Sequence, residues 1–144
     1  KRETTKNQMV TSSLLEAEKR LLGLISQSKK LYKMSSAQIK AEEFATNVYR
    51  RLAKSMYDSY ENGMSPDPAM MLNDFSGDDL CEASEVFYNL EVYSGDEETV
   101  KELLYTIKLE KLNMRINAEA DPTNLMDLFK QREELLNEKN TWEE

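Results

Sequence analysis

The sequence predicts an all-α fold, in which an N-terminal bundle of five to six helices is followed by a long helix leading into a C-terminal antiparallel helical hairpin. Strong helix formers fill most of the chain, and only 4 Gly and 3 Pro interrupt its 144 residues. Apolar residues recur every three or four positions, which is the spacing of one helix face. Residues that favour turns are scarce, so no sheet is expected.

The first helix is predicted over residues 13–27, because Ser13 followed by Glu16 has the form of a capping box. Two shorter helical turns are expected around residues 29–33 and 36–43. The apolar stripe of the first helix consists of Leu14, Ala17, Leu21, Leu22 and Ile25.

The clearest helix begins after Thr46, a good N-cap residue, and ends at the helix-terminating pair Asn62 and Gly63. Next, Asp67 followed by Pro68 predicts an N-cap with proline in the first helical position, and hence a short helix. The stripe of the longer helix is Val48, Leu52, Ala53, Met56 and Tyr60.

Another helix is predicted to be capped by Ser76 and Asp79. Cys81, the one cysteine, lies on this helix and is interpreted as a buried, inert thiol. Ser94 and Glu97 repeat the capping pattern before the next helix. The core-facing residues of the helix that carries Cys81 are expected to be Leu80, Ala83, Phe87 and Leu90.

The longest helix is predicted over residues 96–119, and its apolar face changes sides by about 150° along its length. Asp121 and Pro122 then predict the start of a final helix over residues 122–140. The first face of the long helix carries Val100, Leu103, Leu104 and Ile107, and the second carries Tyr105, Leu109, Leu112 and Ile116.

These patterns predict two folded parts, a bundle over residues 12–108 and a hairpin over residues 109–144. Residues 1–11 are polar and without a helical pattern, and we interpret them as the remnant of a linker. Since two helices alone make a thin core, some of the last apolar stripe is expected to stay exposed until another molecule covers it.

Composition argues against several classes of function. A formal charge of −8 disfavours direct nucleic-acid binding, because phosphate backbones would be repelled. The chain has no His, so the commonest general base and the His-containing zinc sites are missing, and neither a catalytic residue nor a metal or other cofactor is expected. No apolar run reaches the length of a membrane span, and a cytoplasmic location is expected.

Several segments resemble two families of replication domains. The segment Glu16–Ile25 looks like the first helix shared by the C-terminal domain of bacterial DNA primase and the N-terminal domain of the replicative hexameric helicase. Residues 44–60, the run DPAMMLNDF at 67–75, the run DDLCEASEVF at 78–87 and the closing REELLNEK at 132–139 follow the primase pattern in order. The chain therefore resembles the helicase-binding domain of a primase.

This resemblance implies a monomeric, non-catalytic module of a primase that docks onto the replicative helicase and couples primer synthesis to unwinding. Two alternatives remain open: the N-terminal domain of the helicase itself, acting in ring assembly, and an unrelated helical adaptor. The residues expected to contact the partner are Leu125, Leu128, Phe129, Arg132, Leu135 and Leu136.

Overall fold

The computed structural model describes residues 11–88 and 96–141, and these ranges are helical with no strand, which confirms the predicted all-α class. Residues 1–10 of the predicted linker, as well as Leu90 and Ser94, lie outside them. The described elements are α1 Ser12–Ile25, α2 Lys29–Ser36, a 3₁₀ turn Ala41–Glu43, α3 Asn47–Glu61, α4 Pro68–Leu72, α5 Gly77–Tyr88, α6 Glu97–Ala118 and α7 Pro122–Thr141.

The N-terminus of α1 differs from the predicted one. Thr11, not Ser13, is the N-cap residue, and its hydroxyl oxygen accepts a hydrogen bond from the Leu14 N–H at 3.0 Å. The predicted capping box is wrong because Thr11 supplies the same kind of acceptor two residues earlier, so that Ser13 already lies inside the first turn. Thr11 also donates to the Glu110 carboxylate at 2.8 Å, which joins the start of α1 to α6.

The starts of α4 and α7 are set by short-range hydrogen bonds at the predicted residues. The Asp67 carboxylate accepts the Ala69 N–H at 3.1 Å, and Pro68 opens α4. Asp121 accepts the Thr123 N–H at 2.9 Å in the same way before α7. At α6 the predicted cap at Ser94 is wrong, because Asp96 is the N-cap and its carboxylate accepts the Thr99 N–H at 3.2 Å.

The core is built around α1, which packs against α2, α3, α5 and α6. Its C-terminal end is fixed by a cluster of tyrosines, in which the Tyr32 ring stacks on Tyr60 with centroids 4.5 Å apart. The Tyr60 hydroxyl donates to the Ile25 carbonyl, and the Tyr57 hydroxyl donates to the Ile39 carbonyl at 2.9 Å. Each of these buried hydroxyls thus has the partner that burial requires.

The buried face of α5 is rotated from the predicted one. Ala83 and Val86 are fully buried, whereas Leu80 is 37% exposed and Cys81 is exposed, so the prediction of a buried thiol is wrong. Two neighbouring faces of this helix satisfy the three-and-four spacing, and the contacts with α1 and α3 select the one that contains Val86.

Helix α6 contributes to two separate apolar clusters, as its two faces predicted. Val100, Leu103, Leu104 and Ile107 are buried in the main core. Tyr105, Leu112 and Leu128 are also buried but lie outside that cluster, where α6 packs against α7. The proposed division between residues 108 and 109 falls inside α6 and stays a prediction.

Truncation of the core should distinguish the observed face of each helix. Leu52 in α3 is fully buried, so Leu52→Ala is expected to lower the free energy of unfolding by about 3 kcal/mol through lost burial and a residual cavity. Leu80→Ala removes the same atoms from a partly exposed position and should cost less than half as much. Urea unfolding followed by circular dichroism measures both, and equal losses would contradict the observed orientation of α5.

Candidate functional site

The six residues predicted to contact a partner occupy different environments on α7. Leu128 is buried against α6, and Leu125, Arg132 and Leu135 are half-buried. Phe129 and Leu136 are each 42% exposed. The predicted stripe therefore divides into side chains that close the hairpin and side chains that face outward.

Arg132 links the two helices of the hairpin. Its guanidinium donates to the Asn113 side-chain oxygen at 3.0 Å and lies 5.2 Å from the centroid of the Phe129 ring. Two turns further along α7, the Lys139 ammonium lies 4.6 Å from the centroid of the Tyr105 ring of α6. The Arg132–Asn113 hydrogen bond and the Lys139–Tyr105 contact join α7 to α6, whereas the Arg132–Phe129 contact lies within α7 and restricts the orientation of Phe129.

The outward apolar side chains of α7 form one surface. Met126, which was missing from the predicted set, is 72% exposed and lies one turn before Phe129. The i, i+3 spacing of these two residues was a readable signal, but Met126 falls outside the stripe that closes the hairpin. We name Met126, Phe129 and Leu136 the α7 outer face.

A second feature of the hairpin is an open groove of about 330 Å³ between α6, α7 and residues 38–43. Three basic side chains of α6, Lys108, Lys111 and Arg115, line it together with Gln131 of α7. Its apolar lining comes from Ile39, Leu104, Ile107, Leu112 and Leu135. We name it the α6–α7 groove.

Close to this groove lies a buried carboxylate that the sequence reasoning did not single out. Glu18 of α1 is fully buried, and its Oε1 accepts the Ala45 N–H at 2.8 Å. Its Oε2 lies 3.9 Å from the Lys111 ammonium and accepts no hydrogen bond from the described residues. Burial raises the pKa of the Glu18 carboxyl to about 7, although the Ala45 N–H and the Lys111 and Arg50 cations lower it.

Glu18 was detectable in the sequence, because at 100° per residue it falls between Leu14 and Leu22 on the apolar face of α1. A glutamate in the middle of a core stripe is uncommon unless it has partners in the folded protein. Here the partners come from other elements and are not visible in the sequence of α1.

The segment after the 3₁₀ turn is held from three sides. Arg50 of α3 donates to the Phe44 and Ala45 carbonyls at 3.0 and 3.2 Å, and Lys111 of α6 donates to the Glu43 carbonyl. With the bond from Ala45 to Glu18, these contacts join α1, α3 and α6 at one point. These contacts fix the backbone of residues 43–45 relative to α1, α3 and α6.

In residues 11–88 and 96–141, no group of three or more His, Cys, Asp or Glu side chains is placed to hold a metal ion. None of the helices in the same ranges combines the length and the hydropathy that a bilayer span requires.

Comparison with known families assigns most of the chain to one family. Residues 10–109, which are 100 of the 144 residues, match the family model described as DnaB-like helicase N terminal domain. The match includes α1 to α5 and the first half of α6, whereas α7 lies beyond it. No curated protein and no solved structure matches the chain.

This match contradicts the expected assignment to the primase C-terminal domain, so that assignment, the docking function drawn from it and the inferred primase parent are wrong. The segments that suggested a primase are mostly helix caps and amphipathic stripes. Such signals report where helices begin and which side is buried, and two helical domains of similar layout share them.

The buried carboxylate should make stability depend on pH. Between about pH 4.5 and 7 the folded protein keeps a proton on Glu18 that the unfolded chain releases, so the folded state binds more protons. The stabilisation from this tighter proton binding is fully present below about pH 4.5. It is lost as the pH rises through about 7, so the free energy of unfolding of the wild type decreases over this interval. Glu18→Gln, which cannot ionise, should therefore gain stability over the wild type by about 3 kcal/mol across this range.

Urea unfolding at a series of pH values measures this difference, and Glu16→Gln is the matched control on the same helix, since the Glu16 side chain is 52% exposed. The control should follow the wild-type pH profile. Parallel profiles for Glu18→Gln and the wild type would show that Glu18 ionises as freely in the folded protein as in the unfolded chain.

Proposed function

The chain belongs to the family of DnaB-like helicase N-terminal domains, and from this premise we propose that it is the assembly domain of a replicative hexameric helicase. In this proposal the copies of the domain associate through the α7 outer face, within the ring of the helicase and in the cytoplasm. The helicase is then the parent protein of the domain and no longer its docking partner.

The observation that carries the proposal is the exposure of large apolar side chains on one side of a two-helix hairpin. Met126 is 72% exposed, and Phe129 and Leu136 are each 42% exposed. At 100° per residue the three lie within about 80° of one another around α7. Covering this side removes apolar area from water, which is worth about 25 cal/mol per Å².

A second copy of the chain suits this surface for a geometric reason. Two-fold contacts bring the same patch of both subunits together. In an antiparallel pairing of two α7 helices centred near residue 131, Met126 lies opposite the partner's Leu136, and the reverse contact follows by symmetry. Two hairpins joined in this way form a four-helix arrangement, whose core is thicker than that of one hairpin.

The charges beside the face also permit such a pairing. Lys130 and Glu133 are both exposed on α7 and lie symmetrically about a point between residues 131 and 132, about half a residue from the centre that pairs Met126 with Leu136. Antiparallel association places each lysine opposite the partner's Glu133, so like charges are kept apart. The energetic gain from such exposed pairs is small, and their main effect is to favour this register over its neighbours.

The α7 outer face is tested by measuring mass against concentration with light scattering. The wild-type chain should show a mass above that of the monomer at micromolar concentration. The double variant Met126→Glu, Phe129→Glu places charges in the contact and should weaken association by about 2 kcal/mol or more, which is roughly thirtyfold in Kd. Met70→Glu on α4 is the matched control, since Met70 is 66% exposed and lies away from the hairpin.

Circular dichroism of all variants checks that the helices are retained. A wild-type chain that stays monomeric over the whole series would contradict the proposal. An equal effect of Met70→Glu would show that the α7 outer face is not the contact.

A further inference from the structure

We propose that the α6–α7 groove is a docking site for an acidic, amphipathic peptide segment of a partner protein. The proposal goes beyond self-association, because the groove and the α7 outer face lie on opposite flanks of α7. At 100° per residue, Gln131 in the groove is about 160° from Phe129 around the helix axis. A second copy that covers the outer face therefore leaves the groove open.

The groove offers an apolar lining that can receive a side chain of the peptide. Leu104, Ile107 and Leu112 line it from α6, and the half-buried Leu135 lines it from α7. Its volume of about 330 Å³ is at the lower end of the range of ligand pockets. A space of this size accommodates one or two side chains such as Leu, while the rest of a peptide stays on the rim.

The rim is basic although the chain as a whole carries a charge of −8. Lys108, Lys111 and Arg115 follow one another along α6 at i, i+3 and i+7, which spreads three positive charges over about 10 Å. Glu43 is the acidic side chain that lines the groove, and its carboxylate accepts the Lys40 N–H at 2.7 Å. The charge at the rim is thus opposite in sign to the net charge of the chain.

The three cations are only partly compensated within the chain. Lys108 donates to the neutral amide oxygen of Gln38, and Lys111 donates to a backbone carbonyl and lies 3.9 Å from Glu18. For Arg115, which is exposed, residues 11–88 and 96–141 supply no hydrogen bond or ion pair. Carboxylates from another molecule would therefore gain charge-assisted hydrogen bonds, and the Arg115 guanidinium can donate two parallel hydrogen bonds to one carboxylate.

A peptide fits these observations better than a nucleic acid does. The net charge of −8 would repel an extended phosphate backbone, whereas a short acidic segment needs only the rim. Apolar anchors in a groove, flanked by charges, are a common mode of helix recognition. The apolar lining and the basic rim together specify leucine-type anchors with acidic neighbours.

Fluorescence anisotropy tests the site with a defined probe, a fluorescein-labelled synthetic helical peptide that carries Leu on one face and Glu on both flanks. A second peptide has Gln in place of every Glu. The wild-type chain should bind the acidic peptide at least about tenfold more tightly than the Gln peptide, a gap that corresponds to about 1.4 kcal/mol. This preference should decrease as salt is added.

The double variant Lys108→Glu, Arg115→Glu should weaken binding of the acidic peptide at least about tenfold, which again is about 1.4 kcal/mol. The matched control is Lys30→Glu, Lys54→Glu, which changes the net charge equally at side chains that are 75% and 74% exposed outside the groove. The control should bind the peptide within about a factor of two of the wild type, a difference of about 0.4 kcal/mol.

Several outcomes would overturn the proposal. One is the absence of binding by the wild type, and another is an equal loss in both double variants, which would indicate general electrostatics without a site. Competition by a single-stranded oligonucleotide, lost in the groove variant, would assign the groove to nucleic acid. If light scattering shows that the groove variant also dissociates the copies, the occupant is a second copy of the chain. Unchanged association with lost peptide binding supports the proposal independently of the proposed assembly role.

Discussion

Helix α6 must bury apolar side chains on two opposite sides, and the rest of the structure depends on how this is achieved. Its N-terminal half places Val100, Leu103 and Ile107 in the core built around α1. On the other side of the helix, Tyr105 and Leu112 are buried where α6 packs against α7. A continuous helix transmits this change of side without a break in the backbone, so the hairpin projects from the bundle in a fixed direction and not on a linker.

A buried carboxylate, that of Glu18, lies beside the C-terminal half of α6, and its burial costs free energy. Glu18 is taken out of water and compensated incompletely, by one N–H and by a lysine at 3.9 Å. In return, α1, α3 and α6 are fixed relative to one another through Ala45 and Lys111, and Thr11 adds a second tie from α1 to Glu110. Polar contacts of this kind are directional, so they determine the position of α6 where apolar packing alone leaves it free to slide.

The sequence predicted several of the features that short-range interactions decide, although the caps of α1 and α6 proved to be Thr11 and Asp96. Asp67 and Asp121 cap their helices through amides two residues away, and the two faces of α6 follow from spacing within one helix. Features that depend on distant partners were predicted less well. The orientation of α5 is selected by α1 and α3, and the partners of Glu18 lie on three separate elements. The groove is formed by residues 38–43, α6 and α7, which are far apart in the sequence, so no local sequence pattern predicts it.

The same reasoning explains why the family was assigned wrongly while the fold class was assigned correctly. Caps and stripes define the helices, and a domain of either replication family needs similar ones. The family match covers α1 to α5 and the first half of α6 and stops at residue 109, so α7 lies beyond it. Its two flanks have opposite character, one apolar around Phe129 and one beside the basic rim at Arg115. The two proposed contacts, a second copy and a peptide, are therefore compatible with each other, because they use different flanks of one helix.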